Sequence, residues 1–361
     1  MLQGKNIGII TLPGNFNYGN RLQCYAMSEI VKGLGGRPEV LEREHCYTPI
    51  RRFARSIKGK LGDIAGHGSF ESAEKLRTPA RSAAFDRFAE LIPTRVLPGY
   101  GYAEAGKYDY LFVGSDQVWN PNEIQRQEKW YFASFAAEEQ RIAVAASLGI
   151  DSFTNEKQKK SVSKGVSGFR CVSVREKRGA ELIKCCSGID AEIICDPTLV
   201  ISSDEWRRIA SGACTPSGAY VLTYLLGGRG EEAVDVLDSV TDGGRIPVIP
   251  LSDRQKSGEP DAGPAEFIDL IDNATHVVTD SFHAAVFSAI LQTPLTIVHR
   301  EGGVGMFSRL EQLSQMLDIE YKVYGTPSYN LNSSGDFGGV SMMIKRERSH
   351  FIKYLEGCLD G

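Results

Sequence analysis

Short apolar runs alternate with stretches of helical periodicity along almost the whole chain, and this alternation confines it to strand–helix–strand units that feed parallel sheets. NIGIIT at 6–11 predicts a first strand, a polar Gly/Asn loop follows, and RLQCYAMSEIVKGLG at 21–35 predicts a helix closed by glycines. DYLFVG, RIAVAAS, RCVSV and EIICD predict further strands of a first half. AYVLTYLL, IPVIPL, HVVTD and LTIVH repeat the style in a second half, without any sequence-level repeat. A chain of 361 residues is long for one core and suits two domains. The polar ISSDE after DPTLV places the boundary near 198–205, which divides the chain into 1–200, 201–335 and a C-terminal amphipathic helix within 336–361.

Composition removes several functions. A formal net charge of -4 argues against a whole-chain nucleic-acid binder. The N-terminus has a short apolar run without a small-residue cleavage site, so it reads as a strand rather than a secretory signal. No stretch approaches the ~18 apolar residues that span a bilayer. The eight cysteines (24, 46, 171, 185, 186, 195, 214, 358) form neither CxxC pairs nor clusters at zinc spacing, so no metal site is expected. Several lie in apolar runs as buried thiols, which suits a reducing, cytoplasmic compartment.

One region breaks the rhythm. Between Arg43 and Arg81 basic residues outnumber acidic ones by nine to four, without an evident strand. Ile50, Phe53, Ala54, Ile57 and Leu61 share one helical face, with Arg51, Arg52, Arg55 and Lys58 elsewhere around it. A basic amphipathic helix over 50–61 can lie on an anionic membrane surface, and it can equally pack its stripe on the first domain.

In open parallel sheets, ligands bind beyond the carboxyl ends of the strands. The richest such end is HVVTD–SFHAAVFSAIL–TPLTIVHR, where Phe282, Ala285, Val286, Ala289 and Ile290 mark a helix face packed on a sheet. Asp280 or Ser281 is the expected N-cap, which places His283 in the first turn, where free N–H groups and the helix dipole favour an anion. His299 and Arg300 emerge at the same edge if the two strands are parallel neighbours. His276, at the opposite edge, reads as structural. In the first half Arg175 stands at a strand-to-helix turn, as an anion grip or as an ion-pair partner of Glu176. GSDQVWNP (114–121) offers Asp116 and short polar groups, with Trp119 as a stacking face for a sugar or as a core plug. GNFNYGNRLQ (14–23) lacks GxGxxG and the P-loop lysine, which leaves nicotinamide and nucleoside-triphosphate use unsupported.

Taken in order, NYGNRLQCYAM, VGSDQVWNP, AASLG, SVREKRGAELI, CDPTLV, TDSFHAAVFSAILQTPL and FSRLEQLSQML resemble the polysaccharide pyruvyltransferase family over roughly residues 6–318. The resemblance implies an α/β fold of two Rossmann-like lobes facing across a cleft, similar to the B-type glycosyltransferase arrangement. The first lobe would be the acceptor side and the second the donor side. It implies transfer of pyruvate from phosphoenolpyruvate to two hydroxyls of a sugar, in an exopolysaccharide, capsule or lipid-linked precursor, with no cofactor. It assigns His283 as general acid, with Asp116 assisting the acceptor. Arg175, Ser281, His299 and Arg300 fall to the donor; Asn17, Tyr18, Asn20 and Trp119 to the acceptor. Ser281 replaces the arginine of the family's Arg-x-His element, so Arg300 or Arg309 would supply that charge. Two other readings stay open: a glycosyltransferase of the same build, with Glu259 or Glu266 on a ribose, and a glycan-binding relative without catalysis.

Overall fold

The computed structural model describes residues 2–12, 17–44, 78–124, 126–253, 255–300 and 307–360. Five strands, β1 (Asn6–Ile10), β2 (Arg37–Arg43), β3 (Thr94–Leu97), β4 (Tyr110–Val113) and β5 (Arg141–Ala143), form an all-parallel sheet in the order β3-β2-β1-β4-β5. Isolated bridges carry this sheet on to two short strands, β6 (Ser173–Val174) and β7 (Glu192–Ile193). A second parallel sheet orders β8 (Val221–Tyr224), β9 (Val248–Leu251), β10 (His276–Thr279) and β11 (Leu295–Ile297) as β11-β10-β8-β9. The chain is therefore α/β, with two Rossmann-like lobes.

Helices cover both sheets: α1 (Tyr18–Gly33), α2 (Pro79–Ala89), α3 (Glu156–Val166), α4 (Lys177–Ser187), α5 (Ser203–Ile209), α6 (Glu231–Val240), α7 (Pro264–Asp272), α8 (Phe282–Leu291), α9 (Ser308–Met316) and α10 (Val340–Asp360), single turns aside. Strands β8 and β10 are buried throughout, and β1 along all but its first residue, which is why they read as unbroken apolar runs. Strands β2 and β3 escape the pattern because RPEVLER and TRVL carry exposed charged residues.

The lobes share one hydrophobic cluster. Tyr18 of α1 stacks on Phe267 of α7 at 4.6 Å, and Tyr224 meets both rings edge-on. Trp206 of α5 lies between Tyr25 of α1 and Phe287 of α8, at 5.5 and 4.8 Å. Helix α10 reaches back to the first sheet, where the Tyr354 hydroxyl donates to the Ala143 carbonyl at 2.6 Å and His350 meets Glu192 at 2.8 Å. Among the described residues no helix is long and apolar enough to cross a membrane. The basic stretch at 50–61 lies outside the described residues, as does most of 43–81.

Strand order fixes where a ligand can sit. In the first sheet the direction of winding reverses between β1 and β4, and in the second between β8 and β10. Crevices open at the carboxyl ends of such switch points. Those ends carry Thr11 and Gly114–Asp116 in one lobe, and Leu225–Gly227 and Asp280–His283 in the other.

Candidate active site

Helix α8 begins immediately after β10. Its N-cap, Ser281, makes no side-chain cap bond, and its backbone N–H donates to the Thr279 hydroxyl at 3.0 Å. The first-turn N–H groups of Phe282, His283 and Ala284 meet no acceptor among the described residues. Asp280, the other expected cap, instead accepts from the N–H groups of Leu226 and Gly227 at 2.7 and 2.8 Å, tying β8 to β10 across the switch point. The helix therefore presents an open, positive N-terminus.

His283 stands in that first turn, 9% exposed, and its Nε2 is buried without a hydrogen-bond partner. The ring lies across the lobe boundary against Gly19 of α1: a Cβ on Gly19 would fall 2.0 Å from Nδ1. Only the absence of a side chain there lets α1 approach so closely. Nε2 is 3.8 Å from Asp196 Oδ2. Burial pushes the His283 pKa down; Asp196 and Asp116 oppose that, Arg175 and Arg309 reinforce it, and the net shift is downward.

The first lobe supplies a buried carboxylate cluster around one guanidinium. Arg175, at the end of β6, donates from Nη1 to Asp196 at 2.7 Å and from Nη2 to Asp116 at 2.9 Å, with Glu176 3.8 Å from Nε. Burial alone would lower its pKa, but the three carboxylates outweigh burial and raise it. Burial raises Asp196, yet His283, Arg175 and two hydrogen bonds from Thr198 bring it below the usual value. Asp116 adopts a φ of 63°, a left-handed conformation that Asp tolerates better than most residues. Its loop is braced by the Gln23 side chain, which donates to Thr11 at 2.8 Å and accepts from the Ser115 N–H at 3.2 Å.

Cations complete the site. Arg309 of α9 makes no hydrogen bond or ion pair among the described residues, and burial followed by the like charge of Arg175 lowers its pKa to about 10. Arg300 pairs with Asp280, 3.3 Å from its carboxylate. Two further contacts close the lobe boundary here. Asn17 caps α1 through Oδ1 and donates from Nδ2 to Asp253 at 3.0 Å. Gln312 of α9 meets the turn at Arg175.

Of the residues expected from sequence, the structure brings together His283, Asp116, Arg175, Ser281 and Arg300, with Asn17 and Asn20 at the α1 terminus beside them. The Asn20 side chain makes no hydrogen bond among the described residues. Other expectations are corrected. Arg175 was expected as an anion grip, but it is 5% exposed and both its Nη groups are committed to carboxylates, so it is the ion-pair partner instead. Trp119 is fully buried; its ring packs on Phe132 and Phe169 and its indole N–H donates to the Tyr131 carbonyl at 3.0 Å, so it is a core plug without a face for a sugar. Tyr18 is likewise buried, its hydroxyl donating to the Ala262 carbonyl at 3.0 Å. His299 turns to Glu232 at 3.1 Å and stacks on Phe307, away from the carboxylate cluster.

Neither carboxylate considered for a ribose is free: Glu259 holds the Ser252 hydroxyl and faces Arg81, and Glu266 caps its own helix through the Gly263 N–H. Among the described residues no cluster suits a metal ion. Asp196, Gly19 and Gln312 join the site without having stood out in the sequence. For Asp196 the signal was its place after the EIIC run; for the other two, partners distant in sequence define the role.

A family model described as polysaccharide pyruvyl transferase matches residues 17–299. No curated protein matches the chain. Solved structures similar to it include UDP-GlcNAc 2-epimerase from Neisseria meningitidis bound to UDP-GlcNAc (10% identity, TM-score 0.47, covering 98% of this chain and 99% of that one). UDP-GlcNAc 2-epimerase from Methanocaldococcus jannaschii, in complex with UDP-GlcNAc and UDP, gives 13% identity and a TM-score of 0.45 over 95% and 93% of the two chains. A heptosyltransferase from E. coli with ADP gives 12% and 0.38 over 95% and 99%.

Proposed function

Because this chain belongs to the polysaccharide pyruvyl transferase family, we propose that it moves pyruvate from phosphoenolpyruvate onto two hydroxyls of one sugar, in a polysaccharide or lipid-linked precursor, and closes a cyclic ketal. The observation that carries this reading is His283: a buried imidazole whose Nε2 lacks a hydrogen-bond partner, in the first turn of an open helix N-terminus, at the boundary of two lobes.

The chemistry asks for few groups. Phosphoenolpyruvate brings a phosphate and a carboxylate, which need cations and N–H donors. Arg309 and the first turn of α8 fill that role here, in place of Arg175. Protonated His283 delivers its proton to the methylene carbon, making a methyl group, while one sugar hydroxyl bonds to the adjacent carbon. The bond from that carbon to the phosphate oxygen then breaks, inorganic phosphate leaves, and the second hydroxyl closes the ketal. Each hydroxyl gives up a proton: one restores protonated His283, and the other passes through Asp116 to the departing phosphate. The carboxylates of Asp196 and Asp116 beside the imidazole favour its charged form, against the desolvation that opposes it.

The test is phosphate release from phosphoenolpyruvate with a panel of simple glycosides as acceptors. His283→Ala should abolish release with the fold retained by circular dichroism. As the acid must be protonated and its pKa lies below 6.5, wild-type kcat/KM should rise as pH falls through a value below 6.5. Near-normal turnover by His283→Ala would remove the residue from the reaction.

A further inference from the structure

We propose that Gln312 is a positioning residue, a latch between the lobes that holds Arg309 over the reactive cluster; the role of Arg309 rests on the donor reading above. The N-cap of α4, Glu176, makes no side-chain cap bond, and its Oε1 accepts from the Leu148 N–H at 3.0 Å. The first N–H of α4, on Lys177, is therefore an orphan of the kind every helix start leaves. Gln312 satisfies it from the other lobe, its Oε1 accepting from Lys177 N at 2.7 Å. The same amide donates from Nε2 to the Arg175 carbonyl at 3.0 Å. One uncharged side chain thus grips both ends of the Arg175–Lys177 turn, a task that needs a donor and an acceptor on one group.

Arg309 lies three residues before Gln312, on the same face of α9. Leu313, four residues on from Arg309, and Leu310 beside it are buried in the shared core and seat α9 there. Without the latch, no hydrogen bond or ion pair among the described residues holds the Arg309 face of α9 against the first lobe; Glu176 and Asp116 attract its guanidinium at longer range, and the like charge of Arg175 opposes them. The latch keeps two guanidiniums close enough for an incoming anion to relieve their repulsion.

Gln312→Met keeps the length of the side chain and removes both hydrogen bonds. Its Kd for phosphoenolpyruvate by calorimetry should rise about thirtyfold, as two neutral hydrogen bonds of ordinary net worth would give, with kcat within about twofold of wild type. In an Arg309→Ala background the same substitution should add no further loss, because the latch acts through Arg309. Exchange of the Lys177 amide hydrogen, measured without ligand, should quicken in Gln312→Met. Unchanged affinity in Gln312→Met, strictly additive losses in the double variant, or an unchanged Lys177 exchange rate would each overturn the latch. If wild type binds neither phosphoenolpyruvate nor inorganic phosphate, the donor reading falls instead, and the exchange rate still decides the latch.

Discussion

Gly19→Ala is the sharpest probe of the lobe boundary. The added methyl would lie 2.0 Å from His283 Nδ1 and 2.5 Å from Cε1 and Cγ. Ordinary contact starts near 3.4 Å, so the imidazole or the α1 terminus must retreat by about 1.4 Å. The backbone itself does not object: Gly19 is not among the glycines with positive φ, and alanine in a helix is favoured over glycine by about 1 kcal/mol. The penalty is overpacking, about 1–3 kcal/mol at a packed site, so the net loss of stability should be modest. Activity should suffer more, because a misplacement of ~1 Å at the reacting group can cost about 100-fold in rate. The assay is phosphate release beside thermal unfolding. A double variant makes the reasoning independent of turnover: in His283→Ala the ring is gone, so Gly19→Ala should there become neutral or stabilising. If the two substitutions are additive in stability, the close approach of Gly19 to His283 is refuted.

Two further outcomes follow from burial. Trp119→Phe should cost about 1–3 kcal/mol of stability, by leaving a void and orphaning the Tyr131 carbonyl, while the acceptor KM stays within about twofold; a tenfold rise in KM at unchanged stability would restore the stacking role. His276 is buried beside Lys322, and burial first, then that ammonium, lower its pKa to about 4. The unfolded chain takes up that proton near 6.5, so the contribution is intact above pH 6.5 and is lost progressively as pH falls from 6.5 towards 4, by roughly 3 kcal/mol in all. The urea midpoint of wild type relative to that of His276→Gln, which keeps a partner for Thr296, should fall as pH is lowered from 6.5 to 4; parallel curves would sink that assignment.

The sequence spoke clearly wherever a residue's surroundings are set by its near neighbours in the chain. Strands β1, β8 and β10 were legible because both their faces are buried, so apolar runs are unbroken. The position of His283 in a first helical turn followed from Asp280 or Ser281 as the expected N-cap, and helix α10 from its amphipathic pattern. Strands β2 and β3 were not legible, since their charged residues reach solvent and dilute the pattern. The roles of Arg175 and Trp119 were undecidable for a different reason. An arginine at a strand end and a tryptophan in a polar loop look the same whether they meet ligand or protein; burial decides, and burial here comes from Asp196, Phe132 and Phe169, brought by other segments. Gly19 is the extreme case. Its only local reading is a weak helix residue, and its function exists solely because an imidazole from the other lobe occupies the space where a Cβ would be. A site assembled at two switch points thus declares its chemistry in sequence, residue by residue, and withholds its geometry, which belongs to pairs.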